Sequence, residues 1–228
     1  DYIWYVGTLL GAAAGQGKNI LFEAQLGALR DIDYGIYPFT SSSNTIASYA
    51  PIGAGIPGCA LDNVVGVMKA YSTCVGEGPF VAETAMGEAW NEKLRESGGE
   101  FGAATGRPRR VGPFDAVASR YGIRCQKAQD IALTKLDVLG AFDKIPVITG
   151  YRLHGVLLDS FPTDSRLEEA EPVIEELPGW ECDISGCRSW KDLPENARKY
   201  VCTLEKLVDH PIYLVSTGAE RDAYLLRE

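Results

Sequence analysis

The sequence predicts an α/β fold, a mostly parallel sheet flanked by helices. Three observations predict it. Ile131-Ala-Leu-Thr134, Pro146–Leu153 and Ile212–Ser216 are short apolar runs and read as buried strands. Stretches of helical composition stand between such runs, the order that gives parallel pairing. The loops 24–45, 134–137 and 216–219 each follow such a run, and ligands of open parallel sheets sit at the carboxyl ends of strands.

From the start of the chain, residues 2–14 are rich in Ala, Leu and aromatics and read as a buried helix ending at Gly15-Gln-Gly17. Asn19–Glu23 reads as a short buried strand. Residues 31–45, with Gly, Pro and four Ser or Thr close together, read as a loop. Asp62–Lys69 is expected to be helical and to run into a strand at Ala70–Val75. Ala82–Glu96 has helical composition and stops at Gly98-Gly99, a common C-terminal signal. A Gly-rich, then basic loop spans Gly98–Gly112. Residues 114–126 read as a helix, Asp164–Glu171 as an exposed acidic segment, and Pro194–Val208 as the last helix.

Composition narrows the function classes. Lys plus Arg number 22 and Asp plus Glu 31, so the net charge is 22 − 31 = −9. An acidic total argues against nucleic acid or an anionic membrane as the partner. Apolar residues at 46% and charged residues at 23% exclude a disordered chain. The apolar stretch Tyr5–Gly15 is shorter than the ~20 residues a membrane span needs, and no basic segment precedes it. A soluble, cytoplasmic protein of one domain over residues 1–228 is expected. The six Cys suggest reduced, mostly buried thiols rather than a metal centre, and no metal site is expected. The chain starts at Asp1 rather than Met, and is expected to be a piece of something longer.

Four stretches carry chemistry. Thr134-Lys135-Leu136-Asp137 directly follows a buried run. An Asp in such a tetrapeptide can accept both the N1–H and the N2–H₂ of guanine, a donor pair adenine lacks. The alternative is a surface Lys-Asp at a strand end. Ser216-Thr217-Gly218 follows the last run, where small residues let backbone amides reach a base carbonyl; an ordinary turn is the alternative. Gly102-Ala103-Ala104-Thr105-Gly106-Arg107-Pro108-Arg109-Arg110 places three Arg in four residues behind a Gly/Ala/Thr stretch. Arg forks hold carboxylate and phosphate bidentately, although a solvated basic loop paired with nearby acids, such as a surface Glu100, would look the same. Tyr71–Phe80, with two Gly and a Pro, suggests a ligand-lining turn without a nucleophile; Cys74 has no His nearby in sequence.

Together with LFE, GALRDIDYGIYPF, SSSNT, KAYST, VGEGPF, GEFGAATGRPRR, LTKLDVL, LPGW, LPENARKYV and VSTG, in that order, these residues resemble the adenylosuccinate synthetase family, specifically its C-terminal half. The resemblance runs from about Asn19 to Arg227. It implies a P-loop-NTPase-like sheet truncated at its N-terminus. It implies GTP-dependent joining of IMP and L-aspartate, with Mg²⁺, in the synthesis of AMP, by a homodimer.

Residue by residue, the resemblance implies that Lys135, Leu136 and Asp137 hold guanine, closed over by Ser216, Thr217 and Gly218. Ala103, Ala104, Thr105, Gly106, Arg107, Pro108 and Arg109 would form a mobile aspartate-binding loop, with Arg109 also facing GTP. Leu26, Ser41, Val75 and Arg107 would contact IMP. Leu26 stands where the family has Gln, Ser41 where it has Thr, Cys74 where it has Arg, Ala104 where it has Thr and Ala219 where it has Pro. The family's phosphate loop, catalytic Asp and His, and Mg²⁺ ligands belong to the N-terminal half. A chain without them is expected to be inactive alone; a catalytically inactive guanine-nucleotide-binding remnant, or a product of gene decay, is the competing reading.

Overall fold

The computed structural model describes residues 4–227. In chain order the elements are α1 (Val6–Gly15), α2 (Ala50–Gly53), β1 (Val65–Lys69), β2 (Ser72–Cys74), α3 (Val81–Thr84), α4 (Glu88–Gly98), β3 (Arg110–Gly112), β4 (Phe114–Asp115), α5 (Ala116–Gln126), β5 (Asp130–Thr134), β6 (Lys144–Leu153), β7 (Val156–Leu157), β8 (Glu171–Pro178), α6 (Glu195–Val208), β9 (Ile212–Ser216) and β10 (Tyr224–Leu226).

The apolar runs are the sheet centre. β1, β5 and β9 pair in parallel, and β10 closes the far edge antiparallel to β9. Ile131, Leu133, Ile212 and Val215 are buried in this sheet. Helix α6 covers it with Ala197, Tyr200, Val201, Leu204 and Val208, spaced three, four and seven residues apart along one helical stripe. A second sheet carries β4 parallel to β6, with β7 and β8 antiparallel to β6. β2 and β3 form a separate antiparallel pair. The fold is thus α/β with parallel strands and flanking helices, and its strands are shared among three sheets.

Local readings differ from the structure in several places, each for a physical reason. Asp62–Lys69 is not helical: Val64, Val65 and Val67 favour extended backbone, and β1 closes on β5 at Gly66, where a Cβ would meet Ile131 Cδ1 at 2.8 Å. Residues 19–23 form no strand, and Leu21 is 93% exposed. The helix read over 2–14 begins outside the described residues; within them α1 has no buried residue. Ala85-Met86-Gly87 splits the helix read over 82–96 into α3 and α4, and α4 ends on Gly99 at φ 60° as expected. The 114–126 stretch opens as β4 before α5. The 98–112 loop ends in β3, and the 164–171 stretch buries Leu167 and runs into β8. None of the six Cys is buried: five are partly exposed and Cys182 is exposed. No helix among the described residues is long and apolar enough to cross a membrane.

Candidate functional site

The carboxyl ends of β1, β5 and β9 lie side by side. Lys69 is the register partner of Thr134, and Ala70 donates its N–H to Thr134 O at 2.8 Å. Leu133 pairs with Val215, so the next residues, Thr134 and Ser216, leave the sheet together. This brings the two strand-end loops of the sequence analysis to one edge.

In the first loop Lys135 takes a left-handed backbone, φ 60°, which turns the chain from β5 into the 3-10 turn Asp137–Ala141. Leu136 is wholly buried in the core, so only its backbone can meet a ligand. Asp137 is partly buried and makes no salt bridge among the described residues. Burial raises its carboxyl above the usual range; nearby Lys135 opposes this and Asp183 adds to it. In the second loop Ser216 Oγ donates to Gly218 O at 3.0 Å. Thr217 is wholly buried, its N–H committed to Ala223 O and its hydroxyl to Cys187 O at 3.2 Å. That leaves the Gly218 amide, rather than Thr217, to face a ligand.

The Arg loop is a small hairpin. Its stem is closed by Gly102 N–H to Arg107 O at 2.8 Å, Arg109 N–H to Glu100 O at 2.9 Å and a bridge between Phe101 and Pro108. Ala103, Ala104 and Thr105 make its exposed tip, and Gly106 turns it back at φ 64°, a conformation that favours glycine. Arg107 is exposed and forms no salt bridge among the described residues. Arg109 Nη1 instead bonds Glu100 Oε2 at 2.9 Å, and Arg110 bonds Glu83. A surface pairing of Arg107 with Glu100 is therefore absent: Glu100 is 1% exposed and its partner is Arg109.

Glu100, read from the sequence only as a surface acid beside the Arg loop, is a buried site residue that the sequence did not flag. Besides Arg109 it accepts from Lys69 Nζ at 2.8 Å and from the Tyr71 hydroxyl at 2.6 Å, with Lys135 Nζ at 3.7 Å. Burial alone would raise its carboxyl, but bonds from Lys69 and Tyr71 and the charges of Lys69 and Lys135 hold it below the usual range. Lys69 is pulled down by burial against support from Glu100, and Tyr71 is pushed far up by burial and the same carboxylate.

A second unflagged residue, Arg30, assembles the remaining candidates. Its guanidinium donates to Phe39 O at 2.5 Å, Cys74 Sγ at 2.8 Å, Val75 O at 3.1 Å and Glu77 O at 3.0 Å, while Arg30 O accepts from Ser41 N–H at 2.8 Å. Ser41 and Val75 are thus tied to one another. Cys74 pairs with Arg110 across β2 and β3, which sets Val75 beside the stem of the Arg loop. Leu26 is not drawn into this cluster. It sits at φ 76°, 49% exposed, on an open cleft of about 1030 Å³ that also meets Val65, Val67 and Gly122. None of the other candidate residues lines that cleft, so the cleft and the polar site are separate places.

Among the described residues no group of three or more His, Cys, Asp or Glu could hold a metal ion. The side chains of the described residues therefore do not assemble a Mg²⁺ site.

Against known proteins, a family model described as adenylosuccinate synthetase matches residues 1–225. The adenylosuccinate synthetase of Trichlorobacter lovleyi is 50% identical over 219 residues, covering 96% of this chain and 50% of that protein. That of Pelotomaculum thermopropionicum is 46% identical over 226 residues, covering 99% of this chain and 52% of that protein. Among solved structures, fully ligated adenylosuccinate synthetase from Plasmodium falciparum superposes with a TM-score of 0.93 at 36% identity, over 99% of this chain and 54% of that one. A succinoaminodeoxyadenylate synthetase of cyanophage S-2L, at 13% identity and TM-score 0.55, shares the fold. The chain spans about half the length of the curated relatives it matches.

Proposed function

The chain belongs to the adenylosuccinate synthetase family, and from that premise we propose that it supplies the guanine-nucleotide and aspartate sites of a GTP-dependent ligase. The reaction joins IMP and L-aspartate to adenylosuccinate, releasing GDP and phosphate, on the route to AMP. The observation that carries this reading is the convergence of Asp137, Ser216–Gly218 and the Arg hairpin at one sheet edge.

Each residue has a stated task. Asp137, an acceptor carboxylate without a salt-bridge partner among the described residues, receives the two guanine donors, and the Gly218 amide faces O6. The Lys135 stem lies along the base. Arg107, exposed at the hairpin end and unpaired within the described residues, holds an aspartate carboxylate by two parallel N–H···O bonds. Arg109 serves the nucleotide side. Ser41 and Val75, tied by Arg30, face the IMP ribose region, and Leu26 borders it. GTP supplies the phosphoryl group that activates the IMP O6, and Mg²⁺ is held by residues outside this chain, as are the groups that perform the phosphoryl transfer. The chain acts as one structural unit within a cytoplasmic homodimer.

The test uses this chain joined to the remaining half of a relative. Arg107→Leu should raise the aspartate KM by about tenfold or more, as loss of a charge-assisted bidentate bond requires, and leave the GTP KM nearly unchanged. An unchanged aspartate KM with unchanged turnover would remove Arg107 from the substrate site. A less complete reading, a guanine-nucleotide-binding remnant without turnover, predicts nucleotide binding with no adenylosuccinate from the joined protein.

A further inference from the structure

We propose that Glu100 is a positioning residue that couples the Arg hairpin to the base-reading loop, by offering one buried carboxylate to cations from both. The role of each loop rests on the proposed function; the coupling itself rests on the geometry. Three cations meet at Glu100, and each comes from a different element: Lys69 from the end of β1, Lys135 from the end of β5 and Arg109 from the hairpin stem. A carboxylate that only anchored the hairpin would need Arg109 alone.

The details fit a shared anchor. Glu100 Oε1 takes Lys69 and the Tyr71 hydroxyl and lies 3.7 Å from Lys135 Nζ, while Oε2 takes Arg109. Lys135 is two residues from Asp137, and its ammonium points back to the stem, donating to Gly98 O at 2.5 Å. Gly98 lies three residues before Phe101, which bridges Pro108 in the hairpin stem. The carboxylate is 1% exposed, so water screens it weakly, while Lys135 and Arg109 keep 39% and 34% of their side chains exposed and can be reached by a ligand. Arg109 and Lys135 therefore share one carboxylate charge from its two oxygens, and each weakens the other's hold on it. Whatever draws Lys135 towards a bound base leaves Glu100 more fully to Arg109 and tightens the hairpin stem; by linkage, whatever tightens the stem favours the base-bound Lys135 equally. An adenosine or guanosine ring engages this device alike; selection between them stays with Asp137.

The hairpin amides of Gly102, Gly106 and Arg109, all hydrogen-bonded within the stem, report its opening by hydrogen exchange in the ligand-free chain. Lys135→Gln keeps a donor for Gly98 O and removes the competing charge. It should slow exchange at these three amides two- to threefold, the size expected of a partly exposed charge pair. The same substitution in a Glu100→Gln background should change nothing further. Should Glu100→Gln fail to fold, Arg109→Gln is the second background, with the same expectation. No slowing in the wild-type background, or equal slowing in both backgrounds, overturns the coupling. Saturating GDP should then reproduce the Lys135→Gln effect. If GDP fails to do so while the substitution succeeds, the base-reading assignment is wrong and the coupling stands.

Discussion

Glu100 and Asp115 are both buried carboxylates, 1% and 4% exposed, yet their surroundings push them in opposite directions. Asp115 caps α5: its carboxylate accepts from the Val117 and Ala118 amides, each at 3.0 Å, and from the Tyr151 hydroxyl. Burial outweighs these bonds and raises its pKa to about 6. Glu100 caps nothing and gathers three cations, and its pKa is lowered despite burial. A helix start requires only acceptor geometry. A surplus of cations around one acid serves no folding need that a single pair would not meet, and it lies where anionic substrates are proposed to bind.

The largest expected effect is that of Glu100→Gln. It leaves three cations around a neutral amide and should cost about 3 kcal/mol at pH 7, towards the low end for breaking a buried pair because the cations are partly solvated. Since the folded pKa of Glu100 is lowered, its contribution is present above the unfolded value and is lost as pH falls through the folded one. Denaturant titrations of wild type should therefore lose this contribution below about pH 4.5, and the variant should lack that loss. A Glu100→Gln chain as stable as wild type at pH 7 would place both acids in the same class.

Asp115→Asn should show the opposite slope. With a folded pKa raised to about 6, the protonated acid contributes stability that is full below the unfolded value and lost as pH rises through 6. Wild type should thus gain about 2 kcal/mol from this group between pH 6 and pH 4. Asn, an equally good cap, should remove the gain and leave stability at pH 7 unreduced. A loss at pH 7 as large as that of Glu100→Gln would contradict the contrast.

The smallest effect belongs to Tyr71→Phe. Glu100 keeps its cations, so loss of the 2.6 Å hydroxyl bond should cost about 1 kcal/mol in thermal unfolding. A cost near that of Glu100→Gln would mean that Tyr71, rather than the cations, holds the carboxylate.

What the sequence made legible follows the same division between local and distant causes. β5, β9 and α6 were readable because their apolar pattern meets partners inside the chain: Leu133 beside Val215, and Tyr200 and Leu204 against the same sheet. The Lys135–Asp137 and Ser216–Gly218 loops were readable as chemistry at strand ends. Asn19–Glu23 and α1 carry equally apolar residues, but Leu21 and Leu9 stand 93% and 51% exposed, since periodicity says nothing of whether a partner surface exists. β1 was misread because Val65–Lys69 owes its conformation to β5. Glu100 and Arg30 were illegible as site residues because their partners lie far along the chain: Lys69 is 31 residues from Glu100, and Cys74 is 44 from Arg30. An acid between a Gly pair and an Arg cluster was the only local signal for Glu100.

If the adjoining ends of β5 and β9 read guanine, calorimetric titration of this chain with GDP and with ADP, before and after Asp137→Asn, shows it most directly. An ionised carboxylate can accept two donors at once, so loss of Asp137 should weaken GDP binding by about 10- to 100-fold, the value of a charge-assisted hydrogen-bond pair, while ADP binding changes little. Wild type should prefer GDP, and the preference should collapse in the variant. Equal binding of GDP and ADP by wild type, or a GDP preference that survives Asp137→Asn, would contradict that reading.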